Sequence, residues 1–124
     1  MKSIAIALGL CAALTLTACG EHGEPTGSVC PSTPTLTYVN FGKPFMDTYC
    51  VDCHSSTKTG AARHGAPAFH DYDTVEGVRQ TIEHIDEQAA AGPSAVNTLM
   101  PEDAPKPTEA ERRQLGEWLA CGAP

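Results

Sequence analysis

Apolar positions recur along this chain at helical spacing, with no alternating pattern of any length. Val75, Val78, Ile82, Ile85 and Ala89 form one stripe, which predicts a helix capped by Asp73 or Thr74 and ended by Gly92-Pro93. His84 lies about 140° from that stripe at 100° per residue, so it is expected to face solvent. A last helix is predicted from Thr108, which forms a capping box with Glu111 just after Pro107. Leu115, Trp118 and Leu119 follow at helical spacing, and Gly122 is the stop. These apolar stripes and Trp118 read as core. The expected class is all-α.

The opening residues read as targeting. Lys2 precedes an apolar run from Ile4 to Leu16, too short to span a bilayer comfortably. Leu16-Thr17-Ala18-Cys19 resembles the lipobox of bacterial lipoprotein signals. The expected division is a cleaved signal over 1–18, a lipidated Cys19, a flexible tether over 19–37 and a folded domain over 38–124. Gly, Pro, Ser and Thr dominate residues 20–36, which is linker composition. The protein is expected to be exported and lipid-anchored on the periplasmic side or in the cell envelope, where thiols tend to be oxidised or capped.

Composition narrows the function classes. The 124 residues suffice for one small domain. Fifteen acidic residues against eight basic give a net charge of −7. No basic cluster exceeds Arg112-Arg113, which argues against a nucleic-acid partner. No glycine-rich phosphate loop or repeated strand–helix unit is present. The carboxylates Glu102 and Asp103 read as a solvated loop.

The richest chemistry lies in Cys50-Val51-Asp52-Cys53-His54. C-x-x-C-H is the attachment signature of c-type haem. Two thiols three positions apart on a helical turn can meet the two vinyl-derived carbons on one porphyrin edge. The adjacent His then reaches the iron. Three readings compete: a dithiol redox pair, half of a zinc site, and a structural disulfide. The first lacks its strand–helix unit and the second lacks a second ligand pair. Of the other cysteines, Cys11 would leave with the signal and Cys19 would carry lipid. Cys30 and Cys121 remain, and an oxidising compartment invites a disulfide between them.

The chain resembles class I cytochromes c over roughly residues 41–122. Gly42 lies on an expected first helix opened near Pro44, and Cys50, Cys53 and His54 match the haem motif. Gly65-Ala66-Pro67-Ala68-Phe69 is similar to the family's proline segment, Leu99-Met100-Pro101 to its distal methionine segment, and Leu115 to Leu119 to its last helix. The resemblance implies one covalent haem c, with His54 as proximal ligand. It also implies that the Pro67 carbonyl accepts the imidazole proton, and that Phe69 lies in the cofactor-binding segment. Met46 stands where the family has an aromatic residue, with Phe45 one position away.

The sixth ligand decides the chemistry. Met100 is the best candidate, because Met46 lies on the helix that carries the attachment site. A Met–His iron is saturated, which suits an electron carrier rather than an enzyme. Its partners would be redox proteins outside the cytoplasm, with membrane contact through the lipid alone. Histidine is the rival ligand. His22 falls in the tether, while His64 and His70 flank the proline segment. A five-coordinate or bis-His iron would instead suit a sensor, a peroxidase or a subunit of a larger oxidoreductase.

Overall fold

The computed structural model describes residues 22–124; Cys11, Cys19, the signal sequence and the lipobox lie outside the described residues. Among the described residues the fold is all-α, without a strand. A π-helical turn, Tyr38–Gly42, runs directly into α1, Lys43–Tyr49. Thr37 opens it through a capping box with Asn40. A short 3-10 turn, Gly60–Arg63, precedes α2, Val75–Arg79, and α3, Ile82–Ala89. The last helix, α4, is Glu109–Ala120.

Two predicted boundaries at α4 hold. Thr108 and Glu111 form the reciprocal cap, and Gly122 adopts a left-handed φ of 80° just beyond the helix. Leu115, Trp118 and Leu119 are buried as expected. Burying each such side chain contributes roughly 2–3 kcal/mol. The first helix packs on α4 where Gly42 meets the Trp118 ring. Tyr38, Phe41, Phe45 and Tyr49 surround that crossing, with Phe41 at 6.0 Å and Tyr38 at 6.5 Å from Trp118 between ring centroids. Met46 and Phe45 are both buried, so the core takes both.

The single helix predicted over 74–91 is two helices. Thr74 caps it as expected, accepting from the Gly77 amide. The chain then leaves helical geometry at Thr81, with φ −135° and ψ 28°. The Thr81 amide bonds to the Val78 carbonyl in a tighter turn, and α3 starts anew. Val78 from α2 and Ile85 from α3 both lie in the core. The second helix ends at Ala89. Ala90 is extended, and Ala91 and Val96 form an isolated antiparallel bridge.

The expected flexible tether is a second correction. Its described part, from residue 22 onward, packs on α3. Thr26 is 1% exposed and donates from its hydroxyl and its amide to the Asp86 carboxylate, at 2.6 and 2.8 Å. The Asn97 side chain holds Glu24 by both backbone groups. A Gly/Pro/Ser composition removes periodicity without removing hydrogen-bonding capacity, so packed extended chain and linker read alike in sequence.

Cys30 and Cys121 are joined in a disulfide across a sequence separation of 91. In the chain-entropy view a loop of that size stabilises by roughly 4–5 kcal/mol. It pins the N-terminal segment to the end of α4.

A Cβ on Gly42 would overlap the edge of the Trp118 ring. Gly42→Ala should therefore cost about 1–3 kcal/mol through overpacking. Urea denaturation is the measurement, and an unchanged midpoint would show that the two helices do not cross there.

Candidate functional site

The C-x-x-C-H segment forms where α1 runs out. Cys50 and Val51 still donate to the Met46 carbonyl, at 2.9 and 3.0 Å. Cys50 then leaves helical geometry at φ −123°. Its carbonyl accepts from the amides of Cys53, at 3.1 Å, and His54, at 2.9 Å. The chain is thus doubled back so that both cysteines and His54 belong to one turn. Both thiols are free. Burial pushes the Cys50 thiol up to about 12, opposed by Arg112. Burial also raises Cys53, with the carboxylates of Asp52, Asp103 and Glu102 adding to it. Neither thiol has the lowered proton affinity that a reactive redox dithiol needs.

His54 is held on three sides. Its ring lies against Tyr72, with centroids 4.6 Å apart and planes within 19°. Its carbonyl accepts from the Tyr72 amide at 2.9 Å. Its Nδ1 lies 3.1 Å from the His70 carbonyl. A carbonyl only accepts, so Nδ1 must carry the proton and Nε2 keeps a free lone pair. Burial lowers the proton affinity of the ring and the His70 carbonyl opposes this; the net shift favours the neutral imidazole. That is the form in which histidine binds a metal. Two free thiols and one oriented imidazole on a single turn are the protein groups that a covalent haem c requires. Among the described residues, no three His, Cys, Asp or Glu side chains group to hold a bare metal ion, so the half zinc site finds no complement.

The carbonyl expected to orient His54 was that of Pro67. It belongs instead to His70, three residues on. The Pro67 carbonyl accepts from Arg63 Nη2 at 2.7 Å and from the His70 amide at 3.3 Å. Phe69 sits at a left-handed φ of 73° with its ring 80% exposed, outside the core. Residues 60–71 therefore fold as a loop wound around one arginine.

Met100 is half-buried and packs against the core. Its amide donates to the Gln88 carbonyl and its carbonyl accepts from Arg112 Nη1, at 2.9 and 2.8 Å. The same guanidinium donates to Ala89 and Asn97 and is the cation that opposes the rise at Cys50. Arg112 thus couples the Met100 segment to the first cysteine of the motif. Met46, fully buried in the core, is a packing residue.

The rival histidines divide. His64 is exposed at the end of the 3-10 turn. His84, expected in solvent, is half-buried, 4.7 Å from His70 and 5.8 Å from His22 between ring centroids. The face of α3 opposite its stripe is covered by the segment mistaken for tether, and the 70–72 loop reaches it too. His70 Nδ1 is buried without a hydrogen-bond partner. A groove of about 390 Å³ lies between that N-terminal segment and α3 and α4, lined by Thr26, Asp86 and Leu119 among others, and includes none of the motif residues.

Two organising residues were missed in the sequence, Arg63 and Arg112. For Arg112 a signal existed: it lies three positions before Leu115 on the buried stripe of α4. Arg63 has none, since it stands alone in a Gly- and Ala-rich loop. Compared with known proteins, the chain matches no protein family, no curated protein and no solved structure.

Burial lowers His84 as well as His54. The unfolded chain therefore takes up protons first, near the ordinary value of 6.5. Stability of the cofactor-free chain should rise with pH through the window just below 6.5 and be lost as pH falls through it. Urea midpoints between about pH 5 and 7 measure this slope. His84→Gln should flatten it, and an undiminished slope in that variant would remove His84 from the account.

Proposed function

We propose that this protein is a monohaem c-type cytochrome that carries electrons outside the cytoplasm, tethered by lipid at Cys19. The observation that carries the reading is the C-x-x-C-H turn joined to a His54 whose Nδ1 is committed to a backbone carbonyl. Cys50 and Cys53 would hold the cofactor by thioether bonds. His54 Nε2 would be the axial ligand on one side, and Met100 the ligand on the other. A haem iron held this way supplies one-electron chemistry between the ferric and ferrous states. The protein's part is to fix the imidazole, limit water and bring the Met100 loop across. The acidic balance of the chain favours encounter with a basic patch on a redox partner.

Two features support a carrier over an enzyme. Tyr72 and the His70 carbonyl hold His54 firmly, which keeps reorganisation small when an electron arrives. The carboxylates near the site, Glu102 and Asp103, are exposed on the Met100 loop and make no acid–base pair with a buried group.

The test is an optical spectrum of the protein matured with haem, oxidised and reduced, with acid–acetone extraction to show covalent attachment. A low-spin spectrum with the weak far-red band of a ferric Met–His haem is expected, and Met100→Ala should abolish that band. A high-spin spectrum of the unaltered protein would overturn the carrier in favour of an open site. Matured protein without haem absorption would end the cytochrome reading.

A further inference from the structure

Arg63 is the most heavily committed side chain near His54. It is 10% exposed and directs donors in every direction. Nε donates to the Ala66 carbonyl at 3.1 Å. Nη1 donates to the Ser55 carbonyl at 2.7 Å and to the Asp71 carboxylate at 2.8 Å. Nη2 donates to the carbonyls of Pro67 at 2.7 Å and His70 at 3.2 Å. The Ser55 carbonyl belongs to the residue directly after His54. The His70 carbonyl is the one that accepts from His54 Nδ1 at 3.1 Å.

The His70 oxygen therefore serves two donors, one on each lone pair. One is the neutral imidazole N–H and the other a cation. A carbonyl that accepts from a guanidinium is drained of electron density toward that cation. It pulls less on the imidazole proton than it would alone. Hydrogen bonding at the outer nitrogen controls how strongly a histidine donates through the inner one. A strongly held Nδ1 proton gives the ring imidazolate character and favours the ferric state. A weakly held one does the reverse.

We propose that Arg63 is a positioning residue that sets the donor strength of His54 through their shared acceptor, the His70 carbonyl, and so poises the site toward the reduced state. The inference rests on the haem reading above. The step it would govern is the one-electron reduction of a bound ferric haem by a redox partner protein, which is itself oxidised by one electron. No bond to His54 breaks in it, and the Nδ1 proton stays in place.

The test compares reduction potentials of the holoprotein in Arg63→Gln and Asp71→Asn, together with the His54 Nδ1–H resonance in the ferrous state. Arg63→Gln should lower the potential by the equivalent of about a threefold to tenfold shift toward ferric iron, where tenfold is about 59 mV for one electron. Its Nδ1–H resonance should move downfield, as for a stronger hydrogen bond. Asp71→Asn leaves the guanidinium on the carbonyl and removes a negative charge, so the potential should rise or hold. Arg63→Lys, the milder change, should recover part of both signals, and it serves where the Gln variant folds poorly. An unchanged potential and resonance in Arg63→Gln would overturn the proposal. So would equal falls in Arg63→Gln and Asp71→Asn, which would mark general loosening of the loop. The same resonance can be read in the cofactor-free chain, so a wild-type protein that takes no haem refutes the haem reading while the shared-acceptor geometry is judged separately.

Discussion

A chain this short, whose longest helix among the described residues has little more than three turns, leaves long stretches whose backbone carbonyls have no helical or sheet partner. Buried carbonyls must be satisfied, and each one left unpaired costs about 1–3 kcal/mol. Two buried guanidiniums meet that demand. Arg63 gathers the carbonyls of 55–70 and Arg112 gathers those of Ala89, Asn97 and Met100. Hydrogen bonds from a charged donor contribute about 1.5–3 kcal/mol each. The two loops flanking the C-x-x-C-H turn are thus held largely by charge-assisted hydrogen bonds. Only Arg63 has a carboxylate partner, Asp71. Arg112 donates to backbone carbonyls, and its charge opposes the rise of the Cys50 thiol.

The N-terminal segment completes the same scheme from the other side. Asp86 on α3 takes Thr26, Asn97 takes Glu24, and the Cys30–Cys121 bond ties residue 30 to the end of α4. The result is a helix, α3, contacted on both faces. Its apolar face carries Ile85 and Ala89 into the core, while its polar face is partly covered by hydrogen-bonded chain. This is why His84 and Gln88 are withdrawn from solvent although neither lies on the apolar stripe's centre.

How legible this was depends on what held each part together. The caps at Thr74 and Thr108, the core positions of α4 and the residues of the C-x-x-C-H turn follow from local chemistry, and local chemistry is written in adjacent residues. The Cys30–Cys121 bond followed from counting cysteines. The break at Thr81 did not, because a β-branched residue in a good apolar stripe gives no sign that the stripe will be split between two helices. The Pro67 carbonyl was expected to orient His54 by resemblance; in the closed loop it is the His70 carbonyl that reaches Nδ1, while Arg63 donates to both carbonyls. Nothing adjacent to Arg63 announces that its partners lie at 55, 66, 67, 70 and 71. Only the closed loop defines them. The segment from residue 22 was misread for the same reason: its partners are side chains some sixty or more positions away.

The two sides of the proposed site therefore differ in origin. The His54 side is built by the sequence nearest the motif: Tyr72, His70 and Arg63 are all in place around the imidazole within one loop. The Met100 side is brought from far along the chain and is anchored through backbone bonds to Gln88 and Arg112 rather than through the thioether itself. Those anchors fix where the Met100 main chain passes, and its side chain packs against the core. His54 is fixed by its ring contact with Tyr72 and its Nδ1 bond to the His70 carbonyl, and on the proposed reading so firm a ligand would suit a carrier. The asymmetry locates the weak point: loss of Arg112 removes the bonds that gather the Met100 loop, while the bond that holds the His54 ring comes from its own loop.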